Sequence, residues 1–449
     1  MAALRFCFLE KSHLRPVYRL NRAMCTKTPT DAPTGPYSGL PNLPPISIFR
    51  SQGEGYPSPA TAQWHTEAQE KLIEGIRELR NDHTSGAKEL ATKAVASLVR
   101  IARIIESGLA GERSRPGEKI DHKDKSQLWW DAVRKAGWAI STYGRPSMGA
   151  AITVAILNVL EKQAKAGSAA AAGPGNELIG QRVQAMEEYL RDRVDGGQRQ
   201  IGWNLRQFIR DKFLAEGVER RVTILTLSLS STIKQALMTM LELEKGSNSP
   251  GNRQELMIDL RIMESRPLCE GAELARILAA QAAGKGCTHN LKIQLASDAS
   301  VAILARDADI VLLGADRISG SGDISNKTGS LPAVLCAKSV SNKAVVIALS
   351  DIEKVAKPGR MDEHEEEDND PTELVNAWSP QAQECISQKA WKEMVRVRNV
   401  YFEWVPANYI DHYLCETGVL CVDDIRKQSE WVLQAEQRLF GDVEGLNHG

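Results

Sequence analysis

The chain has no apolar run long enough to cross a bilayer: the longest, Met148 to Leu160, falls short of the ~20 residues such a helix needs, and it contains Asn158. That stretch is expected to be a buried helix, and no membrane partner is expected. A C-x-x-C pair and a Cys/His cluster at zinc spacing are also missing, because the eight cysteines lie scattered from Cys7 to Cys421. This sets aside a disulfide scaffold and a structural metal site; free thiols in a reducing compartment are the expectation. Nor does one sign of charge dominate. Lys+Arg 56 against Asp+Glu 57 leaves a net charge of -1, so no global field draws the protein to nucleic acid. What is present is ordinary for a globular protein: 42% hydrophobic and 25% charged residues over 449 positions, enough for two or three folded units.

The first thirty residues hold Arg5, Lys11, Arg15, Arg19, Arg22 and Lys27 against one acid, Glu10, and a Pro/Gly/Ser/Thr-rich stretch follows. Residues 1–60 are expected to be a disordered basic leader and linker, and this composition fits both a mitochondrial presequence and a plain tail. From 61 to 205 apolar residues recur at three and four spacing, as in Leu72, Ile73, Ile76, Leu79 and Leu90, Ala94, Leu98, Ile101, which predicts a domain of amphipathic helices. Between 206 and 430 the texture changes to short β-branched runs alternating with helix-period segments. The runs are Val222–Ser228, Leu256–Met263, Leu291–Leu295, Ile310–Leu313 and Ala344–Leu349. Strands joined by crossover helices are parallel, so the expected fold is α/β: an N-terminal helical domain, then a Rossmann-like parallel sheet with helices on both faces. An acid-rich loop at 358–372 is expected to be solvated, and residues 431–449 to form a C-terminal helix and tail.

Ligands of such sheets bind at the carboxyl ends of the strands, so the segments leaving those ends hold the candidates. Asp316 ends the run Ile310–Leu313 and precedes a glycine-rich turn. It is either a general base or hydroxyl-orienting group, or a turn carboxylate capping backbone amides. Asn326 and Lys327 follow, where a Lys suits a phosphate and an Asn a hydroxyl. Arg266, just past a strand, either forks a phosphate or pairs with its neighbour Glu264. Arg145 precedes the apolar helix, whose first amides suit an anion, in a Gly-containing turn that is otherwise only a turn. Asp298 sits in a short turn where capping is the ordinary role. Ser228, Ser230 and Ser231 offer hydroxyls and amides as the chain enters the next helix, and Ser231 doubles as a candidate N-cap. Cys269 is expected to be a loop or core thiol, since no His lies near it in sequence.

Taken in order, these segments resemble the alpha, beta and delta subunits of translation initiation factor 2B and their relatives, methylthioribose-1-phosphate isomerase and ribose-1,5-bisphosphate isomerase. The resemblance begins at Asp82 to Leu90. It strengthens through Ile224 to Ser231, Glu264-Ser265-Arg266-Pro267 with Glu270-Gly271, Asp298, Gly314-Ala315-Asp316 and Asn326 to Gly329. It closes at Asn399 to Phe402, Val405 to Ile410 and Glu416 to Val419, so that roughly residues 62 to 430 are covered. The resemblance implies a helical domain followed by a Rossmann-like domain and dimerisation through the latter. In the isomerases, an Asp matching Asp316 and a Cys after a Thr-His pair share proton transfer between an aldose and a ketose phosphate. Here that tripeptide is Thr226-Leu227-Ser228, so both the His and the Cys are absent. A serine hydroxyl is a far weaker acid than a thiol.

The expectation is therefore a dimerising assembly or regulatory subunit like those of initiation factor 2B, pairing with itself or with related subunits. Arg145, Ser230, Ser231, Arg266, Asp298, Asn326 and Lys327 would line a pocket for a phosphorylated sugar or nucleotide. The alternative is an aldose–ketose sugar-phosphate isomerase using Asp316 with Ser228, or with Cys269, as its partner. Neither reading calls for a metal or cofactor. The cytoplasm is the expected compartment, with the mitochondrion as the alternative that the basic leader raises.

Overall fold

The computed structural model describes Ile48 and residues 62–82, 85–111, 122–169, 175–195, 198–213, 220–246, 256–341, 343–359 and 369–444. The expected leader, Ile48 apart, and the acidic residues 361–368 lie outside this set. Six helices come first: α1 (Ala62–Asn81), α2 (Ala87–Gly111), α3 (His122–Tyr143), α4 (Gly149–Ala169), α5 (Gly175–Asp195) and α6 (Gln198–Phe213). The apolar stripes expected from the spacing are the buried ones, with Leu72, Ile76 and Leu79 of α1 against Leu90, Ala94, Leu98 and Ile101 of α2. In α4, Ile152, Val154, Ala155, Ile156, Leu157, Val159 and Leu160 are all buried. A helix apolar nearly all round needs neighbours on most sides, and α2, α3 and α5 supply them.

The remaining elements are β1 (Arg220–Leu227), α7 (Ser231–Gly246), β2 (Leu256–Met263), α8 (Glu270–Lys285), β3 (Leu291–Ala296), α9 (Val301–Leu304), β4 (Ile310–Leu313), β5 (Arg317–Ile318), β6 (Ile324–Lys327), α10 (Ser330–Val340), β7 (Val345–Leu349), α11 (Thr372–Val375), α12 (Pro380–Ser387), α13 (Lys389–Met394), β8 (Phe402–Val405), β9 (His412–Cys415), β10 (Gly418–Leu420) and α14 (Val422–Glu444). Seven strands form one sheet in the order β10-β9-β7-β4-β1-β2-β3, parallel throughout except for the antiparallel edge strand β10. Burial on both faces explains the continuous apolar runs. Ile224, Ile310, Leu312 and Ile347 pack under α6, α7 and α8, while Leu225, Val311, Leu313 and Val346 face α10 and Ile425 of α14. The helical region followed by a parallel sheet with helices on both faces is as expected.

Two differences from the sequence reading bear on the site. Helix α6 runs across the expected boundary at 205–206, and its Ile201, Leu205, Ile209 and Phe213 lie in the core beneath the sheet. Helix α14 starts at Val422, ahead of 431, and returns to α3 and α4. Second, a three-stranded antiparallel sheet, β5-β6-β8, and the strands β9 and β10 were not expected. Each of these five is only two to four residues long, too short to show a period, and β6 finds its partner β8 far along the chain. The small sheet carries Asn326 and Lys327 to the rim of the large one, held there by the Asp316 amide donating to the Ser325 carbonyl at 2.8 Å.

Candidate functional site

In this strand order the chain leaves β1 toward β2 on one side and later enters β4 on the other. The carboxyl ends of β1 and β4 are therefore the point where the topology reverses, and a crevice opens there in open parallel sheets. A cavity of about 240 Å³ occupies this position. Its walls are the segment Leu227–Ser231 after β1, Gly314–Asp316 after β4, the first turns of α2 and α7, and Arg145, Glu270, Lys354, Tyr401 and Phe402. At Gly314 a Cβ would sit 3.2 Å from Asn326 Oδ1 and 3.3 Å from Ser230 Oγ, so a hydrogen is what lets both side chains close in on the strand end.

Ser228 adopts a left-handed backbone, with φ of 61°. Its amide donates to Ser265 Oγ at 2.8 Å, and its hydroxyl donates to Glu270 Oε2 at 2.7 Å. The other oxygen of Glu270 accepts from Lys327 Nζ at 3.2 Å. Lys327 in turn lies 4.5 Å from the centre of the Tyr401 ring and 5.1 Å from that of Phe402. A chain of serine, carboxylate, ammonium and aromatic wall thus closes one side of the cavity. Asp316 opens onto it. Burial pushes the Asp316 carboxyl above the usual carboxylate range; Lys354, Lys327 and Arg145 oppose that rise, and Glu270 adds to it.

The cavity is basic on balance: Lys88, Arg145, Lys234, Lys327 and Lys354 outnumber Glu89, Glu270 and Asp316. Two helix N-termini add amides whose partners are not in the helix, those of α2 after Gly86 and α7 after Ser230. An anion is what such a lining suits. Among the described residues no group of three His, Cys, Asp or Glu side chains could hold a metal ion.

Of the residues singled out by sequence, Arg145, Ser228, Ser230, Ser231, Asp316, Asn326 and Lys327 all line this cavity. Ser230, rather than Ser231, takes the capping role, its hydroxyl accepting from the Ile233 amide at 3.2 Å. Asp298 and Arg266 stand apart from it. Asp298 accepts from the Ser265 and Arg266 amides at 2.9 and 2.8 Å, which shapes the turn after β2. The Arg266 side chain is exposed beside a small neighbouring groove, and no ion pair joins it to Glu264. Cys269 does not reach the cavity, nor does any other thiol of the described residues line it. Sequence reasoning placed Lys88, Glu270, Tyr401 and Phe402 in the matching motifs without naming them as site residues, and it did not single out Lys234 and Lys354. Glu270 had a signal, since it follows a strand end, but Lys354 is one lysine in a loop and only the fold reveals its place.

A model of the initiation factor 2 subunit family matches residues 65–421. The chain belongs to that family. Among individual relatives, a methylthioribose-1-phosphate isomerase of Ricinus communis is 25% identical over 257 residues, 56% of this chain and 62% of that protein. A putative translation initiation factor eIF-2B subunit 2-like protein of Pyrococcus furiosus is 24% identical over 207 residues, 46% of this chain and 60% of that one. The chain spans between 41% and 62% of the length of these and two further isomerase relatives. Among solved structures, the tetrameric eIF2B-beta2-delta2 complex from C. thermophilum aligns over 84% of this chain and 100% of the other at 14% identity, with a TM-score of 0.51, a likeness of fold. The chain is thus similar in sequence both to a sugar-phosphate isomerase and to a protein of the initiation factor subunit kind.

Proposed function

We propose that this protein is a dimerising assembly or regulatory subunit of the initiation factor 2B kind, and that its cavity binds a phosphorylated sugar or nucleotide without converting it. One observation carries this reading. The position where the isomerases are expected to hold a thiol is Ser228, and its hydroxyl is committed to Glu270 at 2.7 Å, with no cysteine lining the cavity among the described residues. An ionised or readily ionised sulfur is what proton transfer there requires, and a serine bonded to a carboxylate does not supply it. Binding needs less. Five cations and two helix N-termini that suit a phosphate line the cavity.

Asp316 favours the second reading, an aldose–ketose isomerase. Its carboxyl is held above the usual range by burial, and a carboxylate tuned toward neutrality is suited to passing a proton. The two readings separate in one experiment. The full chain is incubated with ribose-1,5-bisphosphate and with methylthioribose-1-phosphate while aldose-to-ketose conversion is followed by NMR. Ligand-induced shifts without turnover are expected. Turnover that disappears in Asp316→Asn would make this an enzyme and end the non-catalytic reading. Assembly is tested by sedimentation and by co-purification of translation factors; a monomer without such partners would count against it.

A further inference from the structure

Between β7 and β8 the chain makes a long excursion that adds nothing to the core through its helices. α11, α12 and α13 bury no residue, whereas even the four-residue α9 buries Leu304. Trp378 and Trp391 are half-buried, and Met394 is 78% exposed. Short helices without a buried face draw little stability from packing, so their hold on the body rests on the few bonds at their root. Segments of this kind open at low free energy.

That root leads straight to the cavity. Among the described residues, Glu373 of α11 is the one side chain of these helices that bonds beyond the excursion. Its carboxylate accepts from the Tyr401 hydroxyl and from Asn399 Nδ2, the latter at 2.7 Å. Asn399 is buried and closes the root: its Nδ2 also donates to the Asp370 carbonyl at 2.8 Å, and its own carbonyl accepts from the Asn369 amide at 2.8 Å. Tyr401 belongs to both places. Its hydroxyl holds Glu373, while its ring walls the cavity 4.5 Å from Lys327 Nζ. The backbone ties the same two points, since the Thr328 amide, directly after Lys327, donates to the Tyr401 carbonyl at 2.9 Å. Lys327 pairs with Glu270 and Glu270 with Ser228, so each link from Ser228 to α11 is in contact.

We propose that this network makes the excursion a reporter of cavity occupancy: a ligand seated against the Tyr401 wall keeps the root closed, and an empty cavity lets α11 to α13 open more often. This rests on reading the cavity as a ligand site. The root has two states, with Glu373 bonded to Tyr401 or released from it. A ligand that packs on the wall only while Tyr401 holds its place favours the bonded state by the difference in its affinity for the two. The coupling is reciprocal, so whatever the ligand adds to root closure, root closure adds to ligand affinity. Glu373 is thus a positioning residue, acting on the ligand through Tyr401.

Amide hydrogen exchange of the full chain across residues 373–394, with and without ribose-1,5-bisphosphate, tests the relay, alongside isothermal titration with the same compound. In the wild type, saturation with bisphosphate is expected to slow this exchange by about fivefold or more, the lower end of coupling between two sites. In Glu373→Ala the exchange is expected to be fast with and without bisphosphate, and binding to weaken by no more than the factor by which the wild type slows. Unchanged wild-type exchange while titration shows binding would overturn the relay and leave the cavity reading standing. Slowing of equal size in Glu373→Ala would also overturn it, leaving Glu373 a structural tie alone. Absence of bisphosphate binding by the wild type would instead overturn the cavity reading, and the relay with it. Should Glu373→Ala not fold, Tyr401→Phe, which keeps the ring and removes the hydroxyl, replaces it with the same expectation, and failure of both to fold overturns the relay.

Discussion

Two pairs of strand ends look alike in sequence and differ in what they do. After β1 and β4 the chain reads Ser228 to Ser231 and Gly314 to Asp316; after β2 and β3 it reads Glu264 to Pro267 and Ser297 to Ser300. Each offers a hydroxyl, a carboxylate or an arginine just past an apolar run. The β1 and β4 segments face one another across the reversal in strand order and line the cavity. Those after β2 and β3 lie toward the sheet edge, where Asp298 binds the amides of Ser265 and Arg266. Residue type therefore nominates a site, while strand order selects which nominee lines the cavity.

The comparison breaks most readily at Asp298. Replacing it with Ala strips two backbone amides of a charged acceptor, and a loss of about 2 kcal/mol in denaturant unfolding is expected. An unchanged midpoint would mean that the edge segment is not the structural member of the pair. Asp316 should make stability depend on pH. Its carboxyl is raised in the folded protein, so the folded state binds more protons than the unfolded one just above the ordinary carboxylate pKa, and stability falls as pH rises through that window. Asp316→Asn removes this dependence: it is expected to raise the melting temperature at pH 7 by more than at pH 4, and an equal or reversed change would refute the sign. A smaller effect is expected at Ser228. Losing its hydroxyl in Ser228→Ala should cost about 1 kcal/mol by the same unfolding measurement, since Glu270 keeps Lys327 as a partner. Smallest of all is Arg266→Ala. This exposed arginine should change stability by less than about 0.5 kcal/mol and leave bisphosphate affinity within twofold by titration.

The strands of the large sheet that are buried on both faces were legible because their apolar runs are unbroken, as in Ile310 to Leu313. The stripes of α1 and α2 were legible for the corresponding reason at the helical period. The short strands were not: β6 has four residues, Ile324 to Lys327, and their four partners in β8 come only after the helices α10 to α13 and the strand β7. At the site, Ser228, Asp316, Asn326 and Lys327 could be named from their place after strand ends or in a matching motif. Glu270 as the partner of Ser228, and Lys354 as a buried ammonium, could not, because neither pairing nor burial is written at a single position.

Periodicity alone determined the class of each long element, and the order of helix and strand then required a parallel sheet, since crossover connections leave no other arrangement. That Ser228 stands where the isomerases are expected to hold a Cys came from the resemblance of the sequence to them. What the tertiary structure decided was proximity: which strand ends adjoin, that Asp351 clasps α2 to α7, and that Lys354, Lys327 and Arg145 gather around Asp316. Local spacing governs backbone conformation through nearest neighbours, whereas electrostatics and burial act through space between residues far apart along the chain.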